Sequence, residues 1–283
     1  MAKIWRLFRE YGFVRFVLIG LDGIVYLINE FFRYKLYRWT RDNYGFKEAL
    51  FWSKDIALYL RYSRVLTELR DLILESNKKI RILEVGAGGD GISRFLKYSG
   101  DYEKCDIYLA DKNPEALRNV RLANTIEVKG DYLPFENSRF DAVICLAALE
   151  HIPKDKREGF LKELTRVCGG TMLLYTVMND PGKQFEGRAA DLKFQQWHMK
   201  YFKKPHLWTA EHLQIESPGY REIKTALPNS SITGTQNVET WFKYMTFRAK
   251  PILGFFTGFL YTLKWKNKDN SPPFYGCFVK WVK

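Results

Sequence analysis

Cysteine and histidine are scarce. The 283 residues hold four of each, and no two cysteines form a CxxC. That excludes a disulfide framework, and the His/Cys spacing offers no zinc site. The apolar surroundings of Cys105, Cys145, Cys168 and Cys277 predict buried free thiols in a reducing compartment. Internal repeats and low-complexity tracts are also missing. The greasiest stretch, residues 12–32, lacks a small-residue cleavage site and runs into the basic segment RYKLYRWTR, so it does not read as a secretory signal. As a membrane span it would carry Asp22 near its centre, at a cost of about 3 kcal/mol. Its polar residues Arg15, Asp22 and Asn29 recur every seventh position, close to one narrow stripe of a helix that is apolar elsewhere. The pattern predicts a helix lying in a membrane interface or packed on a partner, with ordinary core packing as the alternative.

Acidic charge is thin at the two ends. Residues 1–50 carry 9 Lys/Arg against 5 Asp/Glu, and residues 193–283 carry 14 against 5, whereas the middle is balanced at 22 and 22. The net charge of +13 therefore sits on the flanks. Basic flanks point to an anionic surface: membrane, nucleic acid or a phosphorylated substrate. Near the second flank, the apolar run 251–263 lies between RAK and KWKNK. It is too short to span a bilayer and suits an interfacial anchor.

What is present from residue 80 onward is alternation. KIRILEV, CDIYLAD, IEVKGD, RFDAVICLAAL and TMLLYTVM read as strands, and ISRFLKY, NPEALRNVRLA and DKREGFLKELTRV read as helices, after a leading helix over 55–74. Apolar strands separated by helices imply a parallel sheet covered on both faces. YREIKTAL (220–227) and 273–283 read as two closing strands, a hairpin at the end of the sheet.

The chemistry begins at RILEVGAGGDGISRFL. A strand, an acid, a glycine-rich turn and a helix bring backbone N–H groups and a helix N-terminus to an open crevice. Gly86, Gly88 and Gly91 fit G-x-G-x-x-G. Asp111 ends the next strand, twenty residues after Gly91, where a carboxylate can accept both hydroxyls of a ribose. Asp131, in GDYLPF, is placed to reach an adenine amino group.

EVGAGGDG (84–91), LADKNPEAL (109–117), KGDYLPF (129–135), FDAVICLAALEHIP (140–153) and LTRVCGGTMLLYT (164–176) together resemble the class I S-adenosylmethionine-dependent methyltransferases of the type 11 kind. The resemblance implies an α/β, Rossmann-like, doubly wound seven-stranded sheet with the last strand antiparallel. It adds N-terminal helices over 1–54, a methyltransferase core over 55–228, a basic amphipathic helical insertion over 229–272 and a closing strand over 273–283. S-adenosyl-L-methionine is the implied cofactor, and S-adenosyl-L-homocysteine its product. Glu84, Gly86 and Gly88 would face the methionine part, Asp111 the ribose, and Asp131 and Tyr132 the adenine. Leu146 would lie beside the methionine end. One departure is visible: the usual third glycine of the loop falls at position 90, which is Asp, with Gly91 one step later.

Methyl transfer to a hydroxyl needs a base and no metal. His151, directly after Leu149 and Glu150, is the first candidate; His198 is the second, and His206 and His212 are weaker. Glu211 or Glu216 could hold His212, and Glu150 is a possible carboxylate base. There is no N-P-P-[YF], no Pro-Cys nucleophile after the fourth strand and no double-E loop. The acceptor expected by elimination is a hydroxyl or carbon of a small molecule, sugar or lipid-linked compound at a membrane surface. The residues around 191–244 also look like methyltransferases found with polysaccharide and glycolipid assembly enzymes. That places the chain in the cytoplasm, peripheral on the inner face of the membrane. Two other readings stand beside it: an RNA methyltransferase using the basic flanks, and a cofactor-binding scaffold without catalysis.

Overall fold

The computed structural model describes residues 55–128 and 132–283, together with Val17, Leu21 and Ile24. The expectations placed on the rest of 1–54 and on Asp131 lie outside the described residues. Val17, Leu21 and Ile24 are helical and exposed.

Helix α1 (Ile56–Glu75) starts at Asp55, whose carboxylate accepts the Leu58 N–H at 3.3 Å. It leads into β1 (Ile80–Val85), α2 (Gly91–Ser99) and β2 (Cys105–Asp111). The short α3 (Pro114–Leu117), β3 (Asn124–Glu127), β4 (Phe140–Leu146), α4 (Lys154–Val167) and β5 (Cys168–Val177) follow. Then come β6 (Asn179–Asp180), β7 (Phe185–Glu186), α5 (Gly187–Phe202), α6 (Leu207–Gln214), α7 (Tyr220–Ala226), β8 (Ser231–Asn237), α8 (Val238–Arg248) and β9 (Phe274–Val282).

The seven longer strands run in the order β3-β2-β1-β4-β5-β9-β8. The first five are mutually parallel. β9 runs antiparallel between β5 and β8, pairing Thr171 with Val282 on one side and Ser231 with Lys280 on the other. The two-residue strands β6 and β7 extend the sheet beyond Phe274. Alternation along each strand feeds two cores. Leu83, Val143, Cys145, Met172 and Leu174 meet Phe160, Leu161 and Leu164 of α4 on one face. Ile82, Ile144 and Leu173 meet Val65 and Leu69 of α1 and Ile92 and Phe95 of α2 on the other. All four cysteines are free and buried, as their apolar contexts predict.

Two expectations are corrected. YREIKTAL is helix α7, not a strand: Gly219 and Glu222 cap its start, and Ile223 and Leu227 pack into the core beside α4. The antiparallel partner of the closing strand is SITGTQN, residues 231–237. The helix read over NPEALRNVRLA is one turn, Pro114–Leu117, started by the Asn113 side chain accepting the Glu115 N–H.

β1 leads to β2 on one side and has β4 on the other. The carboxyl ends of β1 and β4 therefore flank the point where the winding reverses, which is where ligands of such sheets bind. A third cluster, with Phe194 of α5, Trp241, Tyr244 and Met245 of α8, and Val177 and Tyr275, packs beyond the ends of β5 and β9. It brings α5 to this end of the sheet.

Candidate active site

The crevice has two walls. The first is the glycine loop between β1 and α2. Gly86 N–H donates to the Ala110 carbonyl at 2.8 Å, which ties the loop to the end of β2. Asp111 completes the tie. Its Oδ2 accepts Gly88 N–H at 2.8 Å and its Oδ1 accepts Asn113 N–H at 2.9 Å. Each oxygen keeps a lone pair for a further donor. A Cβ on Gly88 would meet nothing within 4 Å, so the backbone of the loop borders open space. A turn with open space over its backbone and a carboxylate at its edge fits a nucleoside with a charged tail.

Glu84 lies beneath this loop, 1% exposed. It accepts the Tyr62 hydroxyl at 2.6 Å and the Ile92 N–H, at the first turn of α2, at 2.5 Å. Burial pushes its carboxyl up to about 7, against the pull of those two hydrogen bonds. The same carboxylate accounts for the displaced glycine. A Cβ at position 91 would collide with Glu84 Oε2, so Gly91 is required by the acid beneath it. Asp90 is the residue before the helix and makes no side-chain cap. Leu146 is the last residue of β4 and is buried in the core. Tyr132 is exposed, with the Arg166 guanidinium 5.4 Å from the centre of its ring.

The second wall is the loop after β4. Ala147 holds φ at +56°, unusual for a residue with a side chain. Its neighbour Ala148 is so close to the glycine loop that a Cβ on Gly86 would lie 2.6 Å from the Ala148 Cβ. Two residues on, Glu150 and His151 form a short 3-10 turn. Glu150 is 1% exposed; its Oε2 accepts the Thr176 hydroxyl at 2.8 Å, and its Oε1 is buried without a partner.

His151 faces His212, Nε2 to Nε2 at 3.3 Å. Neither Glu211 nor Glu216 holds His212. Its Nδ1–H donates to Asp191 Oδ2 at 2.9 Å, and Asp191 Oδ1 accepts the Tyr275 hydroxyl at 2.8 Å. Glu211 Oε2 instead lies 3.3 Å from His151 Nδ1, and Glu216 pairs with Lys154 at 2.9 Å. Burial alone would push His212 down; the hydrogen bond and charge of Asp191 outweigh it and hold the imidazole up. Because a carboxylate only accepts, Asp191 fixes the proton on Nδ1 and turns the Nε2 lone pair toward His151.

The remaining histidines serve the backbone. His198 is buried, its Nδ1 2.8 Å from the Lys204 carbonyl just past the end of α5. His206 caps α6 by accepting the Thr209 N–H, and burial pushes it down to about 4, leaving it neutral. Of the two histidines expected to act, only His151 stands beside the crevice loops. Its partners His212 and Asp191 lie 61 and 40 residues further along the chain. A signal for Asp191 exists in the sequence: it is a lone acid in the run Ala190, Phe194, His198 that α5 buries.

Residues 83–174 match the family model Methyltransf_11, described as a methyltransferase domain. No curated protein matches the chain in sequence. Among solved structures, the chain is similar to a putative methyltransferase from an antibiotic biosynthesis pathway of Anabaena variabilis, at 14% identity and a TM-score of 0.47, over 78% of this chain and 97% of that one. It is also similar to the CurJ carbon methyltransferase, at 12% identity and a TM-score of 0.50, over 86% and 60%. A third is the magnesium protoporphyrin IX methyltransferase ChlM of Synechocystis with bound SAH, at 13% identity and a TM-score of 0.44, over 91% and 98%. The CurJ likeness, at a TM-score of 0.50 and 12% identity, speaks to the fold alone. The family match covers the glycine loop, Asp111 and the His151 turn, the segments that build both walls of the crevice. Residues 83–174 match a methyltransferase domain, and S-adenosylmethionine-dependent methyl transfer is the activity that this match supports.

Proposed function

We propose that the chain methylates a hydroxyl of a small-molecule, sugar or lipid-linked acceptor, and that the acceptor oxygen lies at the His151–His212 pair. The observation that carries this is the pairing itself: two imidazoles at 3.3 Å, one backed by a buried carboxylate, next to the loop that Gly86 touches. S-adenosylmethionine supplies an electrophilic methyl group on a sulfonium. The protein's part is to hold and align the two reactants and to take up the acceptor's proton. Asp111 accepts the ribose hydroxyls, and the N–H groups of the glycine loop and Glu84 lie toward the methionine end. Tyr132 borders the adenine. As the acceptor oxygen bonds to the methyl carbon and the carbon–sulfur bond breaks, the hydroxyl proton passes to an Nε2 of the pair. Asp191 stabilises the imidazolium that forms.

A membrane-surface acceptor is supported by the segment after α8. Leu253, Phe256, Phe259 and Leu263 recur about every third residue and are exposed. Lys264, Lys266 and Lys268 follow and are exposed too. A stripe of apolar side chains bordered by lysines matches the interfacial zone of an anionic bilayer. Among the described residues, no helix is long and apolar enough to cross a membrane.

The test is methyl transfer from labelled S-adenosylmethionine to separated lipid, nucleic-acid, protein and small-molecule fractions. The expected result is label in the lipid or small-molecule fraction, reduced at least a hundredfold by His212→Ala with cofactor affinity unchanged. Label confined to RNA would overturn the acceptor class, and full activity in His212→Ala would overturn the role of the pair.

A further inference from the structure

We infer that Glu150, His151 and His212 form a binding site for one divalent first-row transition-metal ion, with an open position for the acceptor oxygen. An oxygen of Glu150 and a nitrogen of each histidine all lie within 4.8 Å of one another. Two imidazole nitrogens bound tetrahedrally at about 2.0–2.1 Å from Zn²⁺ are separated by about 3.3–3.4 Å. The two Nε2 atoms stand 3.3 Å apart.

A second observation comes from Glu150. Its carboxylate is almost wholly buried, Thr176 anchors one oxygen, and the other has no hydrogen-bond partner. An unpaired carboxylate oxygen in the interior is costly and calls for a donor or a cation. Arg61, whose guanidinium lies 5.1 Å from the centre of the Tyr175 ring, adds positive charge nearby, yet its Nε donates to the Ala57 carbonyl and Oε1 stays unmet. A metal ion between the three groups would satisfy Oε1 and take the place of the hydrogen bond between the two nitrogens.

The surroundings have the form of an outer coordination shell. His212 donates its other N–H to Asp191, which Tyr275 orients in turn; Glu211 lies 3.3 Å from the other nitrogen of His151 without a hydrogen bond to it. Carboxylates behind ligating imidazoles fix the ring orientation and raise ligand basicity. Two imidazoles and one carboxylate suit Zn²⁺, Fe²⁺ or Co²⁺ and leave positions open for an exogenous oxygen. That an acceptor oxygen fills one of them rests on the methyl-transfer reading above. With the ion bound, both Nε2 atoms are ligands, and the proton route through an Nε2 given above is replaced. The ion then acidifies the coordinated hydroxyl, whose proton leaves to water.

The experiment uses tag-free full-length protein, stripped with a chelator and dialysed against Co²⁺ or Zn²⁺. Bound metal is counted by elemental analysis, and Co²⁺ geometry is read from its visible absorption. One ion per chain is expected, with a four- or five-coordinate Co²⁺ spectrum. Both should be lost in His212→Ala and in Glu150→Gln. Asp191→Asn, which leaves the ligands in place, should weaken binding ten- to a hundredfold. His151 is partly exposed, so His151→Ala gives a variant expected to fold if the buried ones do not. Uptake equal to that of the His151→Ala/His212→Ala double variant would overturn the proposal. Methyl transfer measured on the stripped protein separates the two readings. Transfer without any metal uptake leaves the histidine pair as the base and removes the metal site. Stoichiometric uptake without transfer keeps the metal site and removes the hydroxyl acceptor.

Discussion

Gly88 offers the sharpest test of the cofactor crevice, because its backbone and its surroundings make separate demands. Its φ is +61°, and a side chain there would meet no protein atom within 4 Å. Gly88→Ala therefore carries a left-handed backbone penalty of about 1–2 kcal/mol and no clash within the protein. For a chain of this size that lowers Tm by roughly 2–3 °C. Gly100 has the same properties, φ +87° and nothing within 4 Å, but it ends α2 away from the loop. Gly100→Ala is thus a matched control with a similar loss of Tm. The two should part in ligand binding. A methyl group standing where a ligand lies costs about 1–3 kcal/mol, or about 5- to 150-fold in Kd. Calorimetry with S-adenosylmethionine and S-adenosylhomocysteine should therefore show weakened binding in Gly88→Ala and unchanged binding in Gly100→Ala. Equal affinities in the two variants would mean that the open space over Gly88 does not hold the cofactor.

Three further outcomes are expected. Asp111→Asn should weaken cofactor binding by about 1–3 kcal/mol in calorimetry, the scale of a lost charged hydrogen-bonding group, and should lower Tm because Gly88 and Asn113 lose a charged acceptor. Glu84, raised from 4.5 to about 7 in the folded chain, binds more protons folded than unfolded between those values. Its contribution to stability is thus fully present below pH 4.5 and is lost as pH rises to about 7, by an amount on the order of 3 kcal/mol; urea denaturation across this window should show the slope in the wild type and not in Glu84→Gln. Arg157 is fully buried, donating to the Ile152 carbonyl at 2.9 Å and pairing with Glu222 at 3.3 Å. Arg157→Ala should lose about 3–5 kcal/mol in the same assay, since it strands a carboxylate and a carbonyl.

The parallel half of the sheet was legible because β1, β2, β4 and β5 are apolar runs bounded by glycines or acids, a pattern buried strands share. The end of the sheet was not. YREIKTAL alternates in polarity well enough to pass for a strand, and its identity as α7 depends on Ile223 and Leu227 meeting α4. β8, SITGTQN, is polar and contains a glycine, so nothing in its composition marks it. The first wall of the site was readable, since Glu84, the glycines and Asp111 follow one another along two strand ends. The second was readable only at His151. His212 and Asp191 sit on separate helices, and the bond between them depends on how α5 and α6 pack, which no spacing along the chain encodes. Glu211, adjacent to His212 in sequence, turns instead to His151.

The position of β9 constrains how the molecule comes together. This strand is the last of the sheet to be synthesised, yet it lies between β5 and β8 and buries Cys277 and Val279 completely. Until it arrives, β5 and β8 are both unpaired edges, open to pairing with other chains. Assembly of this half of the sheet must wait for contacts that reach back about a hundred residues to β5, a slow, non-local step. Loss of residues 274–282 would therefore remove an interior strand of the sheet, not trim an edge.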